Sequence, residues 1–216
     1  MTAYLTVDDA PTETLPEKLE VLAERDVTVV FFCEGRRLAD YADHALEAVE
    51  AGHVLGNHAY SHSHASELDV ESFRDEVERT ESLIEDVYER ADAERPAKLF
   101  RFPYGDRGDV QADRFQACLA DHGFVPPEPS AFAYDWYEEE HGDVRDWGWT
   151  VSVDDWEVDT PAGIRENVAA NAERIESDPD DLLLFHDGGN GVAEFEAYLD
   201  ALADYGVTFG DPLDLV

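Results

Sequence analysis

Short, continuously apolar runs alternate along this chain with longer stretches in which apolar side chains recur every three or four residues. Runs of the first kind, at 3–7, 27–32, 53–56, 98–102, 147–153, 182–185 and 207–209, have the length and the β-branched or aromatic texture of buried strands. A shorter one at 123–125 is stopped by Pro126. Between them, Leu15, Leu19 and Leu22 and the segments 37–51, 70–91, 113–121, 161–176 and 195–205 carry the helical period. The segment 70–91 predicts the longest helix, with Phe73, Val77, Leu83, Ile84 and Val87 on its inner side. Gly52 ends the helix over 37–51, and Pro161 opens the one over 161–176. Residues 126–146, with Pro129, Trp136 and Glu138-Glu139-Glu140, have no clean period and read as a long loop or insertion over a site.

Strand and helix alternate from end to end, which predicts parallel pairing through right-handed crossovers. About seven strand-helix units favour a closed or nearly closed barrel over an open sheet. No Ser/Gly-rich linker interrupts the sequence, so residues 1–216 read as one domain.

In parallel α/β folds the C-terminal strand edge gathers the loops and the binding sites. Each chemical cluster of this chain follows a strand. The first strand runs into Asp8-Asp9-Ala10-Pro11; one acid alone would serve as a helix cap, but two beside a buried strand serve a site better. His58 and His62 follow the third strand, Arg101 with Pro103-Tyr104-Gly105 the fourth, Asp155-Trp156 the run at 147–153, and His186 the run at 182–185. His58 and His62 are four apart, which on a helical turn points both imidazoles one way. With one carboxylate they form a His₂-Asp set that suits a catalytic divalent metal and leaves positions open for water and substrate. Asn57, Ser61 and Ser63 are polar neighbours fit to orient the ligands, and His64 is a substitute ligand. His44, His122 and His141 read as surface residues.

Charge changes the picture more than composition does. Fifty-two acids against 15 bases give −37, which excludes nucleic acid as a partner, because phosphate binding needs a basic patch. The acids have no focus along the chain, and Lys18 and Lys98 are the lysines. That style resembles proteins of salt-loving archaea, in which carboxylate repulsion is screened over about 3 Å in molar salt. The competing explanation is attraction of a cationic partner such as an amino-sugar polymer. Cys33 and Cys118, far apart in apolar company, read as buried reduced thiols. No apolar run approaches the ~20 residues of a membrane span. The first strand begins almost at Met1, so no signal peptide and a cytoplasmic protein are expected.

In this order the clusters resemble the polysaccharide deacetylases, carbohydrate esterase family four with the NodB-type homology domain. Thr6-Val7-Asp8-Asp9-Ala10-Pro11 stands for the first motif and Gly56-Asn57-His58-Ala59-Tyr60-Ser61-His62 for the second. Arg101-Phe102-Pro103-Tyr104-Gly105 matches the third, Asp155-Trp156 the end of the fourth, and Leu184-Phe185-His186 the fifth. The resemblance spans nearly the whole chain. It implies a distorted (β/α) barrel with fewer than eight full units, and a divalent metal held by Asp9, His58 and His62. The metal is zinc first, with cobalt, nickel or iron as substitutes. It also implies Asp8 as general base for the attacking water, His186 as acid for the departing amine, Arg101 holding Asp8, and Asp155 keeping His186 protonated. The N–H of Tyr104 would face the oxyanion, and Trp156 and Leu184 would wall the acyl methyl. Ala10, Val7 and Ser152 depart from the family's usual glycine, phenylalanine and first aspartate of the fourth motif. The expected function is metal-dependent hydrolysis of a non-peptide C–N bond in an N-acetylated sugar, a polysaccharide or a small amide. The alternatives are an amidohydrolase of a cyclic amide or ureide, and a catalytically silent carbohydrate-binding protein.

Overall fold

The computed structural model describes residues 2–176 and 179–216. In chain order the elements are β1 (Thr2–Ala10), α1 (Leu15–Glu24), β2 (Val29–Cys33), α2 (Gly35–Glu50), β3 (Val54–Asn57), α3 (Val70–Arg90), α4 (Ala112–Asp121) and α5 (Asp135–His141). They continue as β4 (Val151–Ser152), α6 (Pro161–Ala170), α7 (Ala172–Ile175), β5 (Asp181–His186), α8 (Val192–Asp204) and β6 (Thr208–Phe209).

All named pairings are parallel, in the order β3-β2-β1-β5-β4, with β6 on the first residues of β1. Period-2 alternation then divides the side chains between two layers. Leu5, Val7, Val29, Phe31, Leu55, Leu183 and Phe185 point outward into a core shared with α1, α2 and α8, where each fully buried side chain contributes about 1.5–3 kcal/mol. Val30, Phe32, Val54 and Leu182 point inward and meet Leu99 and Trp147 in a second cluster.

Hydrogen bonds carry the sheet from β3 round to β4. Asn57 N–H donates to Leu99 O at 2.8 Å and Arg101 N–H to Asn57 O at 3.0 Å. Trp147 N–H donates to Phe100 O at 2.8 Å, and Thr150 N–H to Leu182 O at 2.8 Å. The result is a distorted parallel α/β barrel. Its irregular sector explains where the sequence reading overcounts: 98–102 makes a single bridge, Phe100 to Asn57, and 123–125 makes no strand. A further correction concerns 126–146. That segment folds into a 3₁₀ turn and α5, and buries Phe132 and Tyr137 completely against the inward-facing cluster. Those two rings help fill the barrel, so the segment is not the structureless loop its sequence suggests. The helix expected over 161–176 is broken at Asn171. No helix among the described residues is long and apolar enough to cross a membrane. Cys33 and Cys118 are free and buried.

Candidate active site

A regular strand would send consecutive side chains to opposite faces, yet Asp8 and Asp9 line one cavity. The reason is local. β1 and β2 change register between Val7 and Ala10, and Asp9 stands at φ 60 in the left-handed region, so the strand turns its second carboxylate to the side of the first. On the other flank, β1 and β5 keep register, and Asp8 pairs with His186. These two side chains share the inward face because paired positions of neighbouring strands point to the same side of the sheet.

Asp8 is buried, and its Oδ1 accepts from Arg101 Nη1 at 2.7 Å. Arg101 is itself fully buried; Nη1 also donates to Thr6 Oγ1, Nε to Trp147 O and Nη2 to Gly148 O, and the guanidinium lies 4.3 Å above the Phe32 ring. The other oxygen, Asp8 Oδ2, lies 3.7 Å from His58 Nε2.

His58 donates from Nδ1 to Arg101 O at 2.8 Å, which fixes the tautomer and leaves the Nε2 lone pair bare. Burial pushes the His58 pKa down, outweighing the nearby carboxylates, and this keeps the ring neutral. The histidine loop is not helical. Ala59 at φ 59 and His62 at φ 58 fold it back on itself, so the shared orientation expected from a helical turn comes instead from two left-handed residues, with ring centroids 5.1 Å apart. Glu76 clamps the loop, accepting from Tyr60 N and Ser61 N, and Asn57 Oδ1 accepts from Ala59 N.

Asp9, His58 and His62 offer ligand atoms within 4.8 Å of one another. Asp9 Oδ1 is buried and accepts no hydrogen bond among the described residues, though His62 Nε2 stands 3.1 Å away and His58 Nε2 3.6 Å away. Burial pushes the Asp9 carboxyl up, but the short contact with His62, ahead of the weaker influence of the other nearby histidines, holds it well below the usual carboxylate range. A buried anionic oxygen that accepts no hydrogen bond, beside the Nε2 atoms of His58 and His62, is a donor set that fits a divalent cation. His64 is not among these ligands. Its ring stacks on Tyr104 at 3.9 Å, and its Nδ1 is 3.4 Å from Asp106.

Across the cavity, His186 Nδ1 is 3.0 Å from Asp155 Oδ1. Asp155 is fully buried, and its Oδ2 accepts from His186 N at 2.9 Å and Asn190 Nδ2 at 2.7 Å. Burial pushes the imidazole pKa down, but the bond to Asp155 and its charge, then those of Asp8 and Asp9, raise it above the ordinary value. Tyr104, Trp156 and Leu184 complete the walls of a cavity of about 520 Å³, so every residue to which the resemblance assigns a role lines it or, like Arg101 and Asp155, holds one that does.

Several contributors carry no sequence signal of their own. Trp149 lines the cavity. Lys18, fully buried, pairs with Asp187 at 2.5 Å and donates to Asn190 O at 2.8 Å, while Asp187 N–H donates to Asp8 O at 2.8 Å. A Cβ on Gly188 would lie 3.0 Å from Asp9 Cβ and 2.9 Å from Arg37 Nη2, so the loop after β5 packs directly on the carboxylate. His141, expected at the surface, is buried and stacked on Tyr137 at 4.2 Å.

Residues 1–125 match the sequence profile of a family described as polysaccharide deacetylase. A peptidoglycan-N-acetylglucosamine deacetylase of Bacillus cereus is 30% identical over 103 residues, covering 47% of this chain and 36% of the relative. A chitooligosaccharide deacetylase of Rhizobium leguminosarum bv. trifolii is 33% identical over 82 residues, 38% of either chain. The chain thus spans well under two thirds of the length of these curated relatives. Among solved structures, a family 4 carbohydrate esterase from Streptomyces lividans, in complex with acetate, superposes with a TM-score of 0.70 at 21% identity, covering 99% of this chain and 95% of the other. That likeness is one of fold.

Proposed function

Because this chain belongs to the polysaccharide deacetylase family, we propose that it is a metal-dependent hydrolase that deacetylates an N-acetylated amino sugar, free or within a polysaccharide. Residues 1–216 form one such catalytic domain in this reading. The observation that carries it is the pairing of two differently anchored acid-base groups, Asp8 on Arg101 and His186 on Asp155, on either side of the Asp9, His58 and His62 set in one cavity.

Asp9, His58 and His62 would hold the cation. Mixed oxygen and imidazole donors suit Zn²⁺ first, with Co²⁺, Ni²⁺ or Fe²⁺ as substitutes. A divalent ion so bound supplies Lewis acidity and eases the ionisation of water near neutral pH. The protein's own groups do the rest. Arg101 occupies Asp8 Oδ1 and leaves Oδ2 to take the proton of the attacking water. As the water oxygen bonds to the amide carbon, the N–H of Tyr104 faces the oxyanion, and Trp156 and Leu184 enclose the acetyl methyl. His186, with Nδ1 engaged by Asp155, gives its Nε2 proton to the nitrogen as the C–N bond breaks. Acetic acid and the amine leave, equivalent to acetate and an ammonium ion once the second water proton moves to the amine, and the proton held on Asp8 balances the one lost from His186.

The names of the relatives, which act on peptidoglycan N-acetylglucosamine and on chitooligosaccharides, support an N-acetylglucosamine-type substrate. A silent sugar-binding protein would have no use for two buried charge pairs in its cavity. The charge of −37 is read as adaptation to molar salt in the manner of halophilic archaeal proteins. The test is acetate release by the Zn²⁺-loaded protein in molar KCl, with N-acetylglucosamine, its oligomers and cyclic ureides as substrates. Acetate from the sugars is expected. Hydrolysis of the ureides alone would replace this reading with the amidohydrolase one.

A further inference from the structure

The turn that follows Phe102 has an uncommon backbone. Tyr104 stands at φ 60 and Gly105 at φ 64, two left-handed residues in succession, and the first of them carries a bulky side chain. Such a conformation persists only where its surroundings impose it. Two backbone bonds close the turn, from Gly105 N–H to Phe102 O and from Asp106 N–H to Pro103 O, each at 3.1 Å. The N–H of Tyr104 itself donates to no acceptor among the described residues, which leaves it free for a ligand.

Core packing does not fix the Tyr104 side chain, since the residue is 60% exposed. Two imidazoles hold it instead. His62 meets the ring edge-on, with centroids 4.5 Å apart and planes at 66°, and His64 lies flat against it at 3.9 Å and 13°. A stack this close covers one face of the ring and opposes its swinging away from the histidine loop.

His64 is in turn anchored beside Asp106. Its Nδ1 lies 3.4 Å from that carboxylate, which also accepts from Ser66 N at 3.0 Å, Ser66 Oγ at 2.6 Å and Gly108 N at 2.9 Å. The histidine loop and the tyrosine turn are therefore joined through Asp106 and again through the stacked rings. Ser66 keeps the first joint in the absence of His64, whereas the stack is lost with it.

His64 neither lines the catalytic cavity nor belongs to the ligand atoms that converge on Asp9, so any part it plays in the reaction passes through the turn it touches. In Tyr104 the side chain and the N–H sit on adjacent backbone atoms, so fixing the ring restrains the peptide. We propose that His64 is a positioning residue for the hydrolysis: its stack on Tyr104 holds the turn in the left-handed form that offers the Tyr104 N–H to the oxyanion. This rests on the deacetylase reading above, which supplies the oxyanion. A hydrogen-bonding role would be met by a polar side chain at position 64, whereas a stacking role requires a flat ring.

The test compares the wild type with His64→Ala, His64→Gln and His64→Phe. It measures kcat and KM on N-acetylglucosamine oligomers, metal content, and hydrogen exchange at the Gly105 and Asp106 amides that close the turn. In His64→Ala, kcat should fall about tenfold, a fraction of the roughly 10²–10³ that losing a whole oxyanion donor costs, while KM and metal content stay unchanged and both amides exchange faster. His64→Phe should restore turnover and protection, and His64→Gln neither. Unchanged kcat or unchanged exchange in His64→Ala, a loss that follows metal content, or one that His64→Gln repairs as well as His64→Phe overturns the stacking role and leaves the deacetylase reading standing. No turnover by the wild type, with exchange that quickens in His64→Ala and recovers in His64→Phe, sinks the deacetylase reading and keeps His64 as the clamp of the turn. No turnover together with unmoved exchange overturns both.

Discussion

Arg101 accepts the Nδ1 proton of His58 on its backbone oxygen, at 2.8 Å, while its guanidinium holds Asp8 at 2.7 Å. One residue thus fixes the tautomer of a candidate ligand and the position of the candidate base. Its side chain and that of Asp8 are nearly inaccessible, so removing the cation strands a buried carboxylate. Arg101→Met should destabilise the fold by about 3–5 kcal/mol, measured by denaturant unfolding. Asp8→Asn keeps an acceptor for Arg101 and should fold, but its turnover should fall about 10²-fold or more. Near wild-type turnover in Asp8→Asn would make that carboxylate structural.

His58 and His62 supply two of the three ligand atoms that converge with Asp9. Elemental analysis of the purified protein should find one divalent ion per chain, and His58→Ala and His62→Ala should each lose it. Metal retained at full stoichiometry in both variants would place the ion elsewhere.

The residues that were legible in the sequence owe it to the parallel fold. Asp8, His58, Arg101, Asp155 and His186 each follow a strand-length apolar run, and the barrel brings those ends to one edge. What was hidden is long-range or left-handed. No period announces that Asp9 sits at φ 60, or that Ala59 and His62 curl the histidine loop. The acidic run Glu138-Glu139-Glu140 masks Phe132, Tyr137 and His141, whose buried rings turn an apparent loop into part of the barrel filling. Lys18 looks like a solvated helix residue and is instead fully buried, 169 positions from the Asp187 it pairs with.

That buried pair gives its own test. Asp187 ties the loop after β5 to Asp8 O and Thr12 N, and Lys18 neutralises it. Lys18→Met should cost about 3–5 kcal/mol, because it leaves the carboxylate buried and uncompensated. Lys18→Met with Asp187→Leu should recover part of the loss. An unaltered urea midpoint in the single variant would show that the pair contributes nothing.

With −37 on 216 residues, the native state crowds carboxylates more closely than the unfolded chain does. Screening lengths are about 3 Å in molar salt and 10 Å near 0.1 M. The thermal midpoint, followed by circular dichroism, should therefore rise between ~0.1 M and molar KCl as the repulsion is screened. Identical midpoints would favour a cationic partner as the reason for the acidity.

An amine leaves poorly unless it is protonated as its C–N bond breaks, so turnover should require the imidazolium form of His186. Burial opposes that form, and the hydrogen bond and charge of Asp155 outweigh burial and raise the pKa. The imidazolium is populated below the raised pKa, so activity should decline as pH climbs through it, giving the alkaline limb. The same shift contributes folding stability that is complete below the unfolded value of about 6.5 and lost as pH rises through the folded pKa. Asp155→Asn removes the charge but can still accept from the His186 N–H, so the alkaline limb should move to lower pH, and the stability gained below pH 6.5 should shrink. His186→Ala should lower turnover without changing metal content, since its ring is not among the ligand atoms that converge on Asp9. A pH–rate profile whose alkaline limb stays in place in Asp155→Asn would mean that Asp155 holds the loop through Asn190 and does not tune the acid.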